Sequence, residues 1–140
     1  MAYKLLIGGY TENGLRSLSF DPVEKKLELA SATIPAGASP SWIVAHPSDN
    51  TLIFATNEVE DGRVLAIKLS GLETPELTGE LVANLSSGGE YPAHLLLTKE
   101  SIVAGNVRTL HSICTLYRHA INSTWEAQSS RCHILHRLSN

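Results

Sequence analysis

The side chains of this chain that can transfer protons or hold a polar ligand gather in short segments between apolar stretches. These segments are 10–13, 36–40, 57–62 and 87–94, and they contain Glu12, Asn13, Ser39, Asn57, Glu58, Asp61, Glu90, Tyr91 and His94. Carboxylates and imidazoles serve enzymes as general acids and bases, and amides and phenols hydrogen-bond to polar ligands. The four segments are therefore the candidate site.

The first 106 residues contain no motif for a serine or cysteine nucleophile or for a phosphate-binding loop. No Gly-x-Ser-x-Gly motif is present, and both cysteines, Cys114 and Cys132, lie further along the chain, which excludes a catalytic thiol in that region. Gly8 and Gly9 lack the third glycine of a phosphate-binding loop, and glycine within a strand usually marks a close approach of another backbone.

A repeat of about 50 residues determines how the four segments are arranged. Residues 40–57, beginning Pro40-Ser41-Trp42, have a counterpart in residues 92–106, beginning Pro92-Ala93-His94, and an earlier copy covers 5–20. A repeat of this length is typical of propeller blades, which bury their faces only against neighbouring blades. The chain is predicted to be all-β: about two blades and the start of a third of a β-propeller.

The alternation of apolar residues places the strands within each repeat. The prediction is a first blade with strands at 3–9, 14–21 and 27–34, a second with strands at 41–46, 51–56, 63–69 and 77–83, and a third that opens with 94–98 and 101–105. Because neighbouring strands run antiparallel, alternate connections emerge at the same end of the blades. All four candidate segments are expected on one face.

The composition changes after Asn106. Residues 1–106 hold all the glycines and prolines and thirteen of the fourteen acidic residues, whereas 107–140 hold four of the six arginines and four of the six histidines. The sequence therefore predicts two parts: an incomplete propeller domain over 1–106, and a tail over 107–140 that is a mis-read end of the chain. The tail has no glycine or proline, and Leu110, Ile113, Leu116 and Tyr117 have helical spacing, so helix or disorder is expected there.

Composition also limits the partners. A net charge of −3 provides no basic surface for nucleic acid, and no stretch approaches the roughly 18 apolar residues of a membrane span, so a cytoplasmic protein is expected. His111, Cys114, Cys132 and His136 have spacing that zinc can use, but such spacing arises readily by chance in a tail with four histidines. No metal or cofactor is expected.

Several motifs resemble the amino-terminal third of the lactonase family of seven-bladed propellers, which includes 6-phosphogluconolactonases and fungal carboxymuconate cyclases. The segments that carry the resemblance lie within 3–106 and include Gly8-Gly9-Tyr10-Thr11, Ser39-Pro40-Ser41-Trp42, Asn57-Glu58 and Gly88-Gly89-Glu90-Tyr91-Pro92-Ala93-His94. The family's later blades have no counterpart in this chain.

The resemblance implies metal-free hydrolysis of a small-molecule lactone, or the related lactonisation of a carboxymuconate. It implies that Glu58 or His94 is the base, that Asn57 and Tyr91 bind substrate, and that arginines of the missing blades hold the anionic group. Within 1–106 the only Arg or Lys near this face is Arg63 at its edge. A structural role is the alternative for each residue: a solvated turn carboxylate for Glu58, a packed histidine for His94, rim packing for Tyr91 and Trp42, and turn capping for His46. The chain alone is expected to be inactive, and the alternative function is a non-catalytic interaction module whose exposed strand edges bind a partner protein.

Overall fold

The computed structural model describes residues 2–12, 14–74, 76–98 and 101–108, together with the backbone of two further strands at 115–118 and 126–129. Strands are the only regular elements in these residues. In chain order they are β1 (Tyr3–Ile7), β2 (Leu15–Asp21), β3 (Lys26–Ile34), β4 (Ile43–Ala45), β5 (Leu52–Asn57), β6 (Arg63–Ser70), β7 (Thr78–Ser86), β8 (Pro92–Leu97), β9 (Ser101–Asn106), β10 (Thr115–Arg118) and β11 (Glu126–Ser129).

The strands form three antiparallel meanders. The first sheet has the order β1-β2-β3, the second β4-β5-β6-β7, and the third β8-β9-β10-β11. The predicted all-β class is confirmed, and so are the hairpin and outer strand of the first sheet and the four-stranded second sheet. Among the described residues, no helix is long and apolar enough to cross a membrane.

The second sheet lies between the other two, and strand β5 shows why. All six of its residues are buried, and they alternate between two cores. Ile53 and Ala55 pack with Leu15 and Ile34 of the first sheet, whereas Leu52 and Phe54 pack in a second cluster with residues of β8 and β9. The first four residues of β5 are apolar, as burial on both faces favours, and the two buried polar residues at its end, Thr56 and Asn57, form hydrogen bonds.

The tail differs from its prediction. Residues 115–118 and 126–129 are strands, and β10 pairs with β9 through Tyr117 opposite Ile102 and Arg118 opposite Ser101. The expectation of helix or disorder over 107–140 is therefore wrong at these eight residues, because antiparallel pairing joins β10 to β9 and β11 to β10. The origin of the tail as a mis-read end stays a prediction.

The outer face of the first sheet has no covering element among the described residues. Tyr3, Leu5, Leu27 and Leu29 are all more than 40% exposed, and the pairing of β1 with β2 and of β2 with β3 places them on the same side. This exposed apolar face is what a propeller blade presents to its neighbour.

Gly8 shows why the chain needs glycine where the first two sheets meet. A Cβ atom at this position would lie 1.9 Å from the carbonyl oxygen of Pro40, and the next amide, of Gly9, donates a hydrogen bond to that same oxygen at 3.0 Å. The sequence prediction of a close backbone approach at these glycines is confirmed.

Candidate functional site

The connections of the candidate site lie together at one end of the sheets, as strand alternation predicts. Backbone hydrogen bonds link them in series. The amide of Ser39 donates to Thr11, that of Glu58 to Ser39, that of Tyr91 to Val59, and that of Val107 to Tyr91, with N···O distances of 2.7–3.1 Å. We call this set of connections the loop cluster.

The loop cluster repeats one local geometry. Ser39 and Tyr91 each precede the proline that opens a blade, and both have left-handed backbone angles, with φ of 51° and 53°. Each uses its amide to bind the preceding connection and its carbonyl to bind the following one. A non-glycine residue with this φ is strained and persists only where its surroundings fix it, and such residues concentrate at functional sites.

Glu58 has a specific partner in the cluster. The phenol of Tyr10 donates a hydrogen bond to its Oε1 at 3.1 Å, and Glu58 is half-buried while Tyr10 is largely exposed. The hydrogen bond to the carboxylate and the carboxylate's negative charge raise the pKa of Tyr10 above its ordinary value. The phenol therefore stays protonated and holds the carboxylate in place, a contact that the sequence analysis did not foresee.

Asn57 is buried and its amide group is used within the chain. Its Nδ2 donates to the carbonyl oxygens of Ala36 and Ala38 at 2.5 and 2.7 Å. Asn106, one repeat later, donates in the same way to the carbonyl of Ser87 at 3.2 Å. These contacts give Asn57 a positioning role for the connection between blades, because both of its amide hydrogens are already bound.

His94 lies at the start of the third blade and is exposed. Its imidazole packs against the indole of Trp42, with ring centroids 4.3 Å apart and an interplanar angle of 57°. The repeat aligns these two residues, so equivalent positions of neighbouring blades contact each other. This contact is consistent with the alternative that His94 is a packing residue. One side of the imidazole remains open to solvent.

The sequence analysis missed a cation of the loop cluster. The guanidinium of Arg108 lies 4.7 Å from the centre of the Tyr91 ring, an arrangement that is favourable for a cation above an aromatic face. Arg108 is two residues beyond the predicted domain end at 106, which is why it was assigned to the tail. The loop cluster therefore includes an arginine that the sequence analysis had placed in the tail.

The opposite end of the sheets has turns with structural roles. The Nδ1 atom of His46 accepts hydrogen bonds from the amides of Ser48 and Asp49 at 3.3 and 3.0 Å, which confirms the turn-capping interpretation. Arg63, at the edge of the loop cluster, is paired with the carboxylate of Asp61.

The part of the chain that the structure describes contains no candidate metal site. No group of three or more His, Cys, Asp or Glu side chains comes together there. His111, Cys114, Cys132 and His136 lie outside the described residues, as does Asn13 of the first candidate segment.

Comparisons with known proteins identify the class of the chain. The family described as "Lactonase, 7-bladed beta-propeller" matches residues 4–112, which extends past the predicted end at 106. The chain belongs to this family. A comparison with curated proteins gives no match.

Two solved structures show the same fold. A candidate 6-phosphogluconolactonase of Bacteroides fragilis has a TM-score of 0.69 and 20% identity, and the alignment covers 90% of this chain and 35% of that one. A second candidate, from Bacteroides uniformis, has a TM-score of 0.67 and 19% identity over 89% and 36% of the two chains. This chain thus spans about a third of the length of these structures. Its covered share is larger than residues 1–106 alone, so the likeness includes part of the tail.

Proposed function

We propose that the chain forms the amino-terminal part of a propeller lactonase and that its loop cluster supplies one side of a site that hydrolyses an anionic sugar lactone, such as 6-phosphogluconolactone. The observation that supports the proposal is that connections joined by backbone hydrogen bonds at one end of the sheets carry a carboxylate (Glu58), an imidazole (His94) and a cation (Arg108), in a chain of the lactonase family. The proposal places the reaction in the cytoplasm, as the sequence predicts.

The chemistry follows from these groups. Glu58, held by Tyr10, takes a proton from water as the water oxygen attacks the lactone carbonyl, and a tetrahedral oxyanion forms. The intermediate collapses with cleavage of the bond to the ring oxygen, and His94 supplies the proton that this oxygen needs. Arg108 and Tyr91 lie where the substrate's anionic group can bind, since guanidinium pairs well with phosphate and carboxylate.

The same groups suit a different reaction, in which a carboxylate oxygen adds to one carbon of an alkene and a proton adds to the other, as in carboxymuconate lactonisation. Glu58 and His94 would then exchange protons with the alkene carbon and the solvent, and Arg108 would again hold an anion. The choice between hydrolysis and lactonisation rests on the substrate that the later blades recognise.

The proposal is tested in the chain extended by the remaining blades of the ring. Glu58→Gln and His94→Ala should each lower kcat for lactone hydrolysis by roughly a hundredfold, the lower end of what general acid–base groups contribute. Glu60→Gln is the matched control, because Glu60 is an exposed carboxylate in the same turn. If both site variants keep full turnover while folding normally, the residues are structural and the proposal fails.

The 140-residue chain itself should show no turnover, since it offers only one side of the site. Arg108→Met in the extended protein should raise KM for a phosphorylated lactone more than it lowers kcat, because a distant anion clamp binds ground state and transition state alike. An unchanged KM would separate Arg108 from substrate binding.

A second candidate function, a non-catalytic interaction module, is favoured by the exposed face of the first sheet. Tyr3, Leu5, Leu27 and Leu29 form a contiguous apolar surface of the kind that partner proteins cover. The extended protein distinguishes the two functions. If the first proposal holds, the closed ring covers this apolar face and the protein catalyses lactone hydrolysis; an interaction module would show no catalysis.

A further inference from the structure

A cavity lies at the end of the sheets opposite the loop cluster. It has a volume of about 620 Å³ and separates the first sheet from the turn between β6 and β7. Its walls include Lys4, Ser17, Leu72, Thr74 and Leu77. The volume is within the range of small-molecule sites, which are mostly apolar with a few placed polar groups.

Ser17 marks a polar point on the inner wall. It is only 3% exposed, and its Oγ has no hydrogen-bond partner. The β2–β3 pairing is irregular at this serine: Arg16 pairs with Thr33 and Leu18 pairs with Leu29, so that three residues of β3 stand opposite Ser17. A buried hydroxyl without a partner is unfavourable, and most such groups in proteins are satisfied by a ligand, water or another residue.

Lys4 supplies a charge beside it. The Lys4 ammonium donates to the carbonyl oxygens of Gly71 and Thr74, which fixes its position without neutralising it. None of the ion pairs among the described residues includes Lys4. An ammonium has three N–H donors, so one remains for a further acceptor.

The two groups face the same space. In the β1–β2 pairing Lys4 lies opposite Ser19 and Leu6 lies opposite Ser17, so Lys4 and Ser17 are diagonal neighbours on one face of the sheet. Diagonal neighbours are within reach of one another when one side chain is long. The Ser17 hydroxyl is buried in its present rotamer, and rotation about its side-chain bond would turn it toward an anionic group held by Lys4.

The rim of the cavity limits the charge of the ligand. Glu28 and Glu73 also line the cavity, and the Glu28 carboxylate is mostly exposed and paired with Lys26 at 2.7 Å. Additional negative charge on a ligand would be repelled by these carboxylates. Leu72 and Leu77 offer apolar surface beyond the polar groups, so the walls match an anion of one charge with an apolar body.

We propose that this cavity binds a small monocarboxylate with an apolar chain. The carboxylate accepts hydrogen bonds from the Lys4 ammonium and from the Ser17 hydroxyl, and the chain lies against Leu72 and Leu77. The site is separate from the loop cluster and does not depend on lactonase activity.

The test uses octanoate, 1-octanol and inorganic phosphate as probes of the 140-residue chain, with calorimetry for affinity and NMR shifts for location. Octanoate should bind about tenfold more tightly than 1-octanol, which has the same chain without the charge. Phosphate should bind more weakly than octanoate. The shifts should fall on β1, β2 and the turn at 71–74.

Ser17→Ala is the informative variant, because it removes a hydroxyl that has no partner in the chain. It should weaken octanoate binding about tenfold while the thermal midpoint stays equal or rises. Ser70→Ala, an exposed serine outside the cavity, should change neither. Lys4→Met should abolish the preference for octanoate over 1-octanol.

Three results would each overturn the proposal. Equal affinity for octanoate and 1-octanol would show that the charge is not recognised, and undiminished octanoate binding by Ser17→Ala would show that the hydroxyl is not used. The absence of saturable binding would mean that water alone occupies the cavity.

Discussion

Replacing Asn57 tests whether the amide repeated at Asn57 and Asn106 holds the blades together. Asn57→Ala removes two short hydrogen bonds to the carbonyls of Ala36 and Ala38, at 2.5 and 2.7 Å. Ala36 is completely buried, so its carbonyl would be left without water, whereas Ala38 is exposed and its carbonyl can be hydrated. The two bonds therefore differ in what their loss costs.

The magnitude follows from this difference. An unsatisfied buried carbonyl costs about 2 kcal/mol, and the loss of a bond whose acceptor is rehydrated costs about 1 kcal/mol. Asn57→Ala should thus lower the free energy of unfolding by about 3 kcal/mol. The 3.2 Å bond from Asn106 to the carbonyl of Ser87 contributes about 1 kcal/mol to what Asn106→Ala removes.

The assay is chemical denaturation of the two variants and the parent chain at one protein concentration, because self-association would otherwise change the apparent stability. Asn57→Asp is the shape-matched control: a carboxylate cannot donate to the two carbonyls, so it should destabilise the chain at neutral pH at least as much as alanine. A loss below about 1 kcal/mol for Asn57→Ala would refute the reasoning.

Three further predictions concern the surface and its titration. The chain should self-associate through the apolar face of the first sheet, and Leu29→Lys should reduce the sedimentation coefficient at equal concentration; a monomeric parent chain would contradict this. Hydrogen bonds from Thr51 lower the pKa of Asp49 to about 2, so the stability from this carboxylate is present above the ordinary carboxyl value of the unfolded chain and is lost as the pH falls toward 2. The difference in midpoint between the parent and Asp49→Asn should accordingly shrink over that range, and a difference that does not depend on pH would count against it. Tyr10 should titrate above the ordinary tyrosine range, and Glu58→Gln should return it to that range, as followed by ultraviolet absorbance; no change would mean that the Tyr10–Glu58 contact is absent in solution.

Much of the fold follows from local pattern. The alternation of apolar residues and the turn residues between the strands predicted the second sheet, because successive side chains of a strand point to opposite faces. The repeat from Pro40 to Pro92 predicted that equivalent connections share a face, since antiparallel order allows no other arrangement. These features depend on residues near one another in sequence.

The roles of single residues followed less well from the sequence. Glu58 and His94 were selected by residue type, but only the structure pairs Glu58 with Tyr10, which is 48 positions away, and His94 with Trp42. An asparagine can either bind substrate or hold a loop in place, and its residue type does not distinguish these two roles. The hydrogen bonds of Asn57 to the carbonyls of Ala36 and Ala38 support the second role and depend on the assembled blades, while substrate binding by Asn57 stays a prediction.

The amino-acid sequence by itself determined the strands, their alternating faces and the common end at which the candidate residues emerge, because strand periodicity and antiparallel order are local rules. Only the tertiary structure decided that Arg108 lies over Tyr91, that residues 115–118 pair with β9, and that Ser17 is buried without a partner beside Lys4. Composition had assigned the first two to a separate tail. Contacts between distant segments form where packing and backbone hydrogen bonding bring the segments together. The residue types of one segment alone predict neither the packing nor the hydrogen bonds.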